Sequence, residues 1–157
     1  MRRLLIAVLM APVVALALQP GRDIPLSQTE PTQPLPDTKG IVSWKTLAQV
    51  EMVKIKAKMV PQYSENITAL DRKEVKLQGY MMPLDLGEKQ KRFLLSANAP
   101  TCAYCLPGGP DSLVEVLAKE PIRYGLEPVV VSGTLTVLKS DPTGMFYRMN
   151  DAVLVSR

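Results

Sequence analysis

The clearest periodicity in the chain is Glu74-Val75-Lys76-Leu77-Gln78, where polar and apolar residues alternate strictly. Alternation with period two puts Val75 and Leu77 on one face of a β-strand and the charged side chains on the other. Gly79 breaks the pattern and predicts a bulge or sharp bend, and Pro83 closes the run. Lys91 to Ser96 reads as a second strand, Leu113 to Leu117 as a third, and Pro128 to Leu138 as a long fourth with Gly133 at its centre. Met145 to Met149 is a fifth, reached through Asp141-Pro142-Thr143-Gly144, whose residue types favour a tight turn.

Upstream the pattern is mixed. Ser43 is a suitable cap for a short helix with Trp44, Leu47 and Val50 on one face. Met52 to Ala57 reads as a strand that Pro61 ends, before a short helical piece at Ile67 to Leu70 and a turn at Asp71-Arg72-Lys73. Five to six strands at this spacing, two with internal glycines, predict a mainly β fold. The expected architecture is a small OB-like, partly closed barrel with short N-terminal helical segments, formed by a single domain over residues 41–157.

The start of the chain has a different character. Arg2 and Arg3 precede an apolar stretch from Leu4 to Val14, and Ala15-Leu16-Ala17 supplies a small-x-small cleavage site, so residues 1–17 read as a secretory signal peptide. The apolar run ends at Leu18, short of the ~20 residues that span a bilayer. Residues 18–40 hold five prolines among Gln, Thr and Ser with few large apolar groups, the composition of an extended linker. The expected product is periplasmic and soluble after cleavage, touching a membrane only through an uncleaved signal or a partner.

Composition narrows the chemistry. The chain has no histidine, which excludes Ser-His-Asp and Cys-His relays and any zinc site built on imidazole. Aromatic residues at 5% are too few for a platform that stacks single-stranded nucleic acid. The formal charge of +4 falls to +2 once Arg2 and Arg3 leave with the signal, 17 basic side chains remaining against 15 acidic. The remaining Lys and Arg are scattered, so no nucleic-acid partner is expected. Asp71, Glu74 and Asp85 are too dispersed for paired acid–base work and read as solvated surface.

Reactive chemistry is confined to Cys102 and Cys105, the only cysteines, set between Pro100 and Pro107-Gly108-Gly109-Pro110. Three readings are open. In an oxidising compartment the pair can close a small loop disulfide that holds a turn. A Cys-x-x-Cys pair can also lower the first thiol's pKa and exchange with another disulfide, although the prolines and glycines that follow deny it the helix such enzymes use. Two thiolates also suit a soft ion, Cu(I) or Zn(II). Zinc would have to recruit carboxylates such as Asp111 and Glu115 or a second chain, whereas two-coordinate Cu(I) needs only the pair, with Met81 and Met82 as further thioethers.

Gly79-Tyr80-Met81-Met82-Pro83-Leu84, Phe93-Leu94-Leu95-Ser96, the stretch from Cys102 to Pro110, and Val130-Val131-Ser132-Gly133-Thr134-Leu135 together resemble the exported bacterial family called domain of unknown function 3299. The resemblance runs from about Trp44 to Ala152, and this chain departs from the family's lipoproteins in lacking a cysteine at the cleavage point. It implies a periplasmic protein working beside ABC-type export or metal-handling systems, with no enzymatic activity to carry over. The expected binding surface joins the cysteine loop, with Tyr104, Pro107, Gly108 and Gly109, to Tyr80, Met81 and Met82. The expected role is that of a non-enzymatic accessory protein whose partner is an envelope transport component or another periplasmic protein. The alternative is a thiol–disulfide or metal-relay protein using Cys102 and Cys105 directly.

Overall fold

The computed structural model describes residues 35–101 and 106–157. The expected signal over 1–17 and most of the linker over 18–40 lie outside the described residues, as do Cys102, Ala103, Tyr104 and Cys105. At the described end of the linker, the Asp37 carboxylate accepts from the Ser43 hydroxyl and pairs with Lys45 at 2.9 Å.

Ser43 is extended, and its hydroxyl accepts from the Lys45 amide to open α1 (Trp44–Leu47). Leu47 is fully buried and Trp44 partly so. Val50, expected on the same helical face, instead begins β1 (Val50–Ile55). Lys56 and Ala57, with φ of 44° and 66°, turn the chain into β2 (Lys58–Tyr63). These strands pair from Val50 opposite Tyr63 to Ile55 opposite Lys58. Pro61 therefore lies within a strand rather than ending one. The hairpin is a separate two-stranded sheet, so β2 has an outer edge with no ladder for a missing amide to break. Ser64 caps α2 (Glu65–Thr68), which buries Ile67 completely.

Five strands form the barrel: β3 (Lys73–Pro83), β4 (Lys89–Ser96), β5 (Leu113–Arg123), β6 (Val129–Val137) and β7 (Tyr147–Ser156). Their order is β3-β4-β5-β7-β6, and β6 closes back onto β3. All neighbours are antiparallel except β5 and β7, which run parallel. The expected OB-like barrel is thus present, fully closed and five-stranded, with the two remaining strands set apart in the β1–β2 hairpin. A 3-10 turn at Pro110–Ser112 leads into β5, which extends six residues past the expected Leu117.

Alternation accounts for the core. Val75, Leu77 and Met81 of β3 meet Phe93 and Leu95 of β4, Val114 and Val116 of β5, Val131 and Leu135 of β6, and Tyr147 and Met149 of β7 inside the barrel, with Leu47 and Ile67 packed onto them from the helices. Lys76 and Glu74 point outward, as expected. The part of β3 that β4 does not reach is covered by the preceding segment. There the Val42 amide donates to the Lys76 carbonyl at 2.9 Å and the Trp44 Nε1–H to the Gln78 carbonyl at 2.7 Å.

Gly79 is not a bulge. The pairing of β3 with β6 runs without a register shift from Lys73 opposite Leu135 to Gly79 opposite Val129. A Cβ at Gly79 would stand 2.6 Å from Leu95 Cγ and 2.8 Å from the Ser96 carbonyl oxygen, so the glycine is there for close approach to β4. Gly133 does sit at a register shift, between Ser132 and Thr134 against β7, where a Cβ would meet the Asn150 carbonyl oxygen at 2.7 Å.

Candidate functional site

A cleft of about 250 Å³ lies at the end of β3, lined by Met81, Met82 and Pro83, by Pro100 and Thr101, and by Tyr124 and Leu126 from the β5–β6 connection. Its two methionines belong to one alternating strand and divide accordingly. Met81 is only 1% exposed and packs in the core, whereas Met82 is half-buried on the other face. Tyr80 is half-buried and pairs with Ser96. Leu126 is 79% exposed, and Leu84, Leu86 and Leu106 are also exposed, which gives connections around the barrel more apolar surface than folding requires.

Thr101, the residue directly before Cys102 in the chain, lines the same cleft as Met82. The far stem of the loop is fixed elsewhere. Buried Ser96 donates its hydroxyl to the Asn98 carbonyl at 2.9 Å, and Asn98 Nδ2 donates to the Pro107 carbonyl at 2.9 Å. Ser112 donates its hydroxyl to the Gly109 carbonyl at 2.8 Å, and its own carbonyl accepts from the Ala97 amide at 3.0 Å. Pro107 is half-buried while Gly108 and Gly109 are exposed, and none of the three lines the cleft. A side chain at Gly108 would collide with Ser112, which explains the glycine. The structure thus brings Met81 and Met82 to the approach to the loop and sets Pro107, Gly108 and Gly109 on its other stem.

Tyr124, Leu126, Asn98 and Ser112 were not singled out by sequence reasoning. Leu126 carries a signal that could have been used, as a large apolar residue in the turn-like run Gly125-Leu126-Glu127-Pro128. Asn98 carries none, because its value lies in bonding a carbonyl nine residues away.

The principal charge cluster lies on the outer face of β4, β5 and β7. Glu115 is almost fully buried, accepting from Arg92 Nε at 2.8 Å and from Arg148 Nε at 2.6 Å, and Arg148 also reaches Asp141 at 3.3 Å. Burial alone would raise the Glu115 pKa, but hydrogen bonds from Arg148 and Arg92 and their charges hold it below the usual glutamate value. Two guanidiniums and two carboxylates compensate one another here, so the cluster ties strands together and leaves no unmatched charge for a substrate. Glu115 is consequently committed elsewhere than to the cysteine loop. Asp71, expected as solvated surface, accepts from the Val137 amide at 2.9 Å and holds the end of β6. Burial pushes the Tyr63 hydroxyl up to about 12, which keeps it a neutral donor. Among the described residues no group of three or more His, Cys, Asp or Glu is arranged to hold a metal ion.

Comparison with known proteins places this geometry in a family. The family described as Protein of unknown function (DUF3299) matches residues 24–154. A crystal structure of a DUF3299 family protein from Pseudomonas aeruginosa PAO1 is 26% identical, with 62% of this chain and 68% of that chain covered at a TM-score of 0.48. No curated protein matches the chain. Since the family match takes in the hairpin, both stems of the cysteine loop and all of the barrel but the last two residues of β7, the chain belongs to the DUF3299 family.

Proposed function

We propose that the chain is a non-enzymatic accessory protein of the bacterial periplasm that binds a component of an envelope transport or metal-handling system. The observation that carries this reading is the cleft of Met82, Pro83, Pro100, Thr101, Tyr124 and Leu126, whose apolar lining includes exposed Leu126 and whose Thr101 directly precedes Cys102 in the chain. A partner surface that buried Leu126 and the cleft would gain by the hydrophobic effect without any chemical step. The charge cluster at Glu115 is internally compensated and offers no competing site.

The test is photocrosslinking in cells, with a photoreactive amino acid at Leu126 and, as control, at Glu65 near the opposite end of β3. A crosslink from position 126 to a transport-system component, lost in Leu126→Asp with Met82→Asp and absent from position 65, supports the proposal. Equal labelling from both positions, or none, overturns it.

A second reading has one observation in its favour. Thr101, the residue before Cys102, lines the same cleft as Met82, and two thiolates with a thioether make a soft donor set suited to Cu(I). On this reading the protein is a thiol or metal relay. Free thiols and stoichiometric copper in freshly isolated protein would favour it over the accessory role.

A further inference from the structure

The β1–β2 hairpin is another place where the fold leaves apolar groups in water. The base of the hairpin is docked, with Val50 and Tyr63 packed on the core and the Tyr63 hydroxyl donating to the Leu138 carbonyl. Further out, Met52, Lys58 and Met59 face the β6–β7 connection across a cavity of about 390 Å³. Toward its tip, Met52, Ile55 and Met59 are 47%, 56% and 57% exposed. Lys54, Lys56 and Lys58 are interleaved with them, all exposed. No described acidic side chain pairs with these lysines, and the one carboxylate of the hairpin, Glu51, stands toward its base.

The register sorts these side chains. Residues directly opposite one another share a face, so Lys54 and Met59 lie on one face and Ile55 and Lys58 on the other. Met52 joins the first face, two residues from Lys54. Each face of the tip therefore carries both a large apolar side chain and an ammonium group. A protein partner covering one face would leave the other in water. A lipid surface takes both faces at once. The apolar side chains enter the boundary between headgroups and acyl chains, and the lysines extend along it to phosphates.

We propose that the hairpin tip is a membrane-surface contact that binds anionic phospholipid through Lys54, Lys56 and Lys58 and anchors through Ile55, Met59 and Met52. The contact is superficial: among the described residues no helix is long and apolar enough to cross a membrane. It differs from the expectation that the protein touches membrane only through its signal or a partner. It is independent of the cleft, because Met82 and Leu126 line a different cavity from the hairpin.

The test is co-sedimentation of the full chain with phosphatidylglycerol-containing vesicles and with pure phosphatidylcholine vesicles at rising salt, with hydrogen exchange followed at residues 54–59. Two variants are compared with the native chain, Ile55→Ser with Met59→Ser, and Lys54→Glu with Lys56→Glu and Lys58→Glu, each checked for unchanged folding by circular dichroism. Expected is at least tenfold tighter binding to anionic vesicles, weakened by salt and at least tenfold by the lysine variant, weakened by the apolar variant, with slowed exchange at 54–59. The N-terminal apolar run could retain the chain on vesicles by itself, but that retention would not respond to the hairpin. Equal binding by variants and native chain overturns the proposal, as does absence of slowed exchange at 54–59 on anionic vesicles. Slowed exchange there with a protein partner but not with lipid overturns it as well.

Discussion

The Tyr147 hydroxyl, at the start of β7 inside the barrel, donates a 2.6 Å hydrogen bond to the carbonyl of Leu47, at the end of α1 a hundred residues earlier. Both residues are fully buried. The bond fixes the first helix onto the last strand, and it satisfies a helix-terminal carbonyl that has no water to turn to. Tyr147→Phe removes only the donor and leaves the ring packed against Tyr63 and Phe146. The expected cost is about 1–2 kcal/mol in chemical denaturation, the usual penalty for a stranded buried acceptor.

The faces of β3 give a sharper contrast. Leu77 is fully buried and Lys76 is exposed. Leu77→Asp places an unpaired charge in the barrel at a cost of several kcal/mol and should abolish cooperative unfolding, while Lys76→Asp should stay within about 1 kcal/mol of the native chain. Thermal melts of the two variants side by side check this.

Alternation in β3 made these faces readable from the sequence, whereas β4, β5 and β6 were recognisable only as apolar runs, because they bury residues such as Leu94, Leu113 and Glu115 on their outer faces as well. The hairpin was half legible. Its turn, Lys56-Ala57, has both residues at positive φ, a conformation whose usual signal is Asn-Gly, so nothing marked the chain reversal. Pro61 then argued against a second strand, because a proline excluded from a central strand is tolerated at an open edge and the sequence does not say which edge is open. At Gly79 the residue was noticed and its reason missed. Glycine is common at bulges and is demanded by the close approach to Leu95, and the two are distinguished by a neighbour from another strand. The cleft was legible only on its β3 side. Tyr124 and Leu126 join it through strand order, which no local pattern encodes.

Glu115 sets a pH dependence. Its pKa is lowered in the folded chain, so the unfolded state takes up a proton first and the stabilisation is complete only above the ordinary glutamate value of 4.5. It is lost progressively as pH falls from there through the lower folded value. Glu115→Gln should therefore destabilise the native chain at pH 7 by about 1–3 kcal/mol, with both arginines left facing an amide. The gap should narrow as the pH falls through this window. Urea melts of both chains between neutral and strongly acid pH measure it.

On the proposed periplasmic reading, Cys102 and Cys105 are expected to form an intramolecular disulfide, which makes the chain about two mass units lighter than its reduced form because two hydrogens leave. With a structural bond across so short a loop, the double change Cys102→Ser with Cys105→Ser should cost at most about 2–3 kcal/mol while function persists at low temperature. A double variant that folds normally and loses function would instead assign the pair to exchange or metal transfer. Intact mass, a denaturation curve and a cellular assay distinguish these outcomes.

Trp44 is the only indole in the chain, and its N–H is held by the Gln78 carbonyl where the segment before α1 covers β3. Emission excited selectively in the indole band, beyond tyrosine absorption, therefore reports a single seam. If that segment lifts away while the barrel persists, fluorescence shifts to the red before the far-ultraviolet dichroism of the strands declines. One chromophore, placed at the join between the N-terminal segment and the barrel, thus makes peeling and global unfolding separately visible without a label.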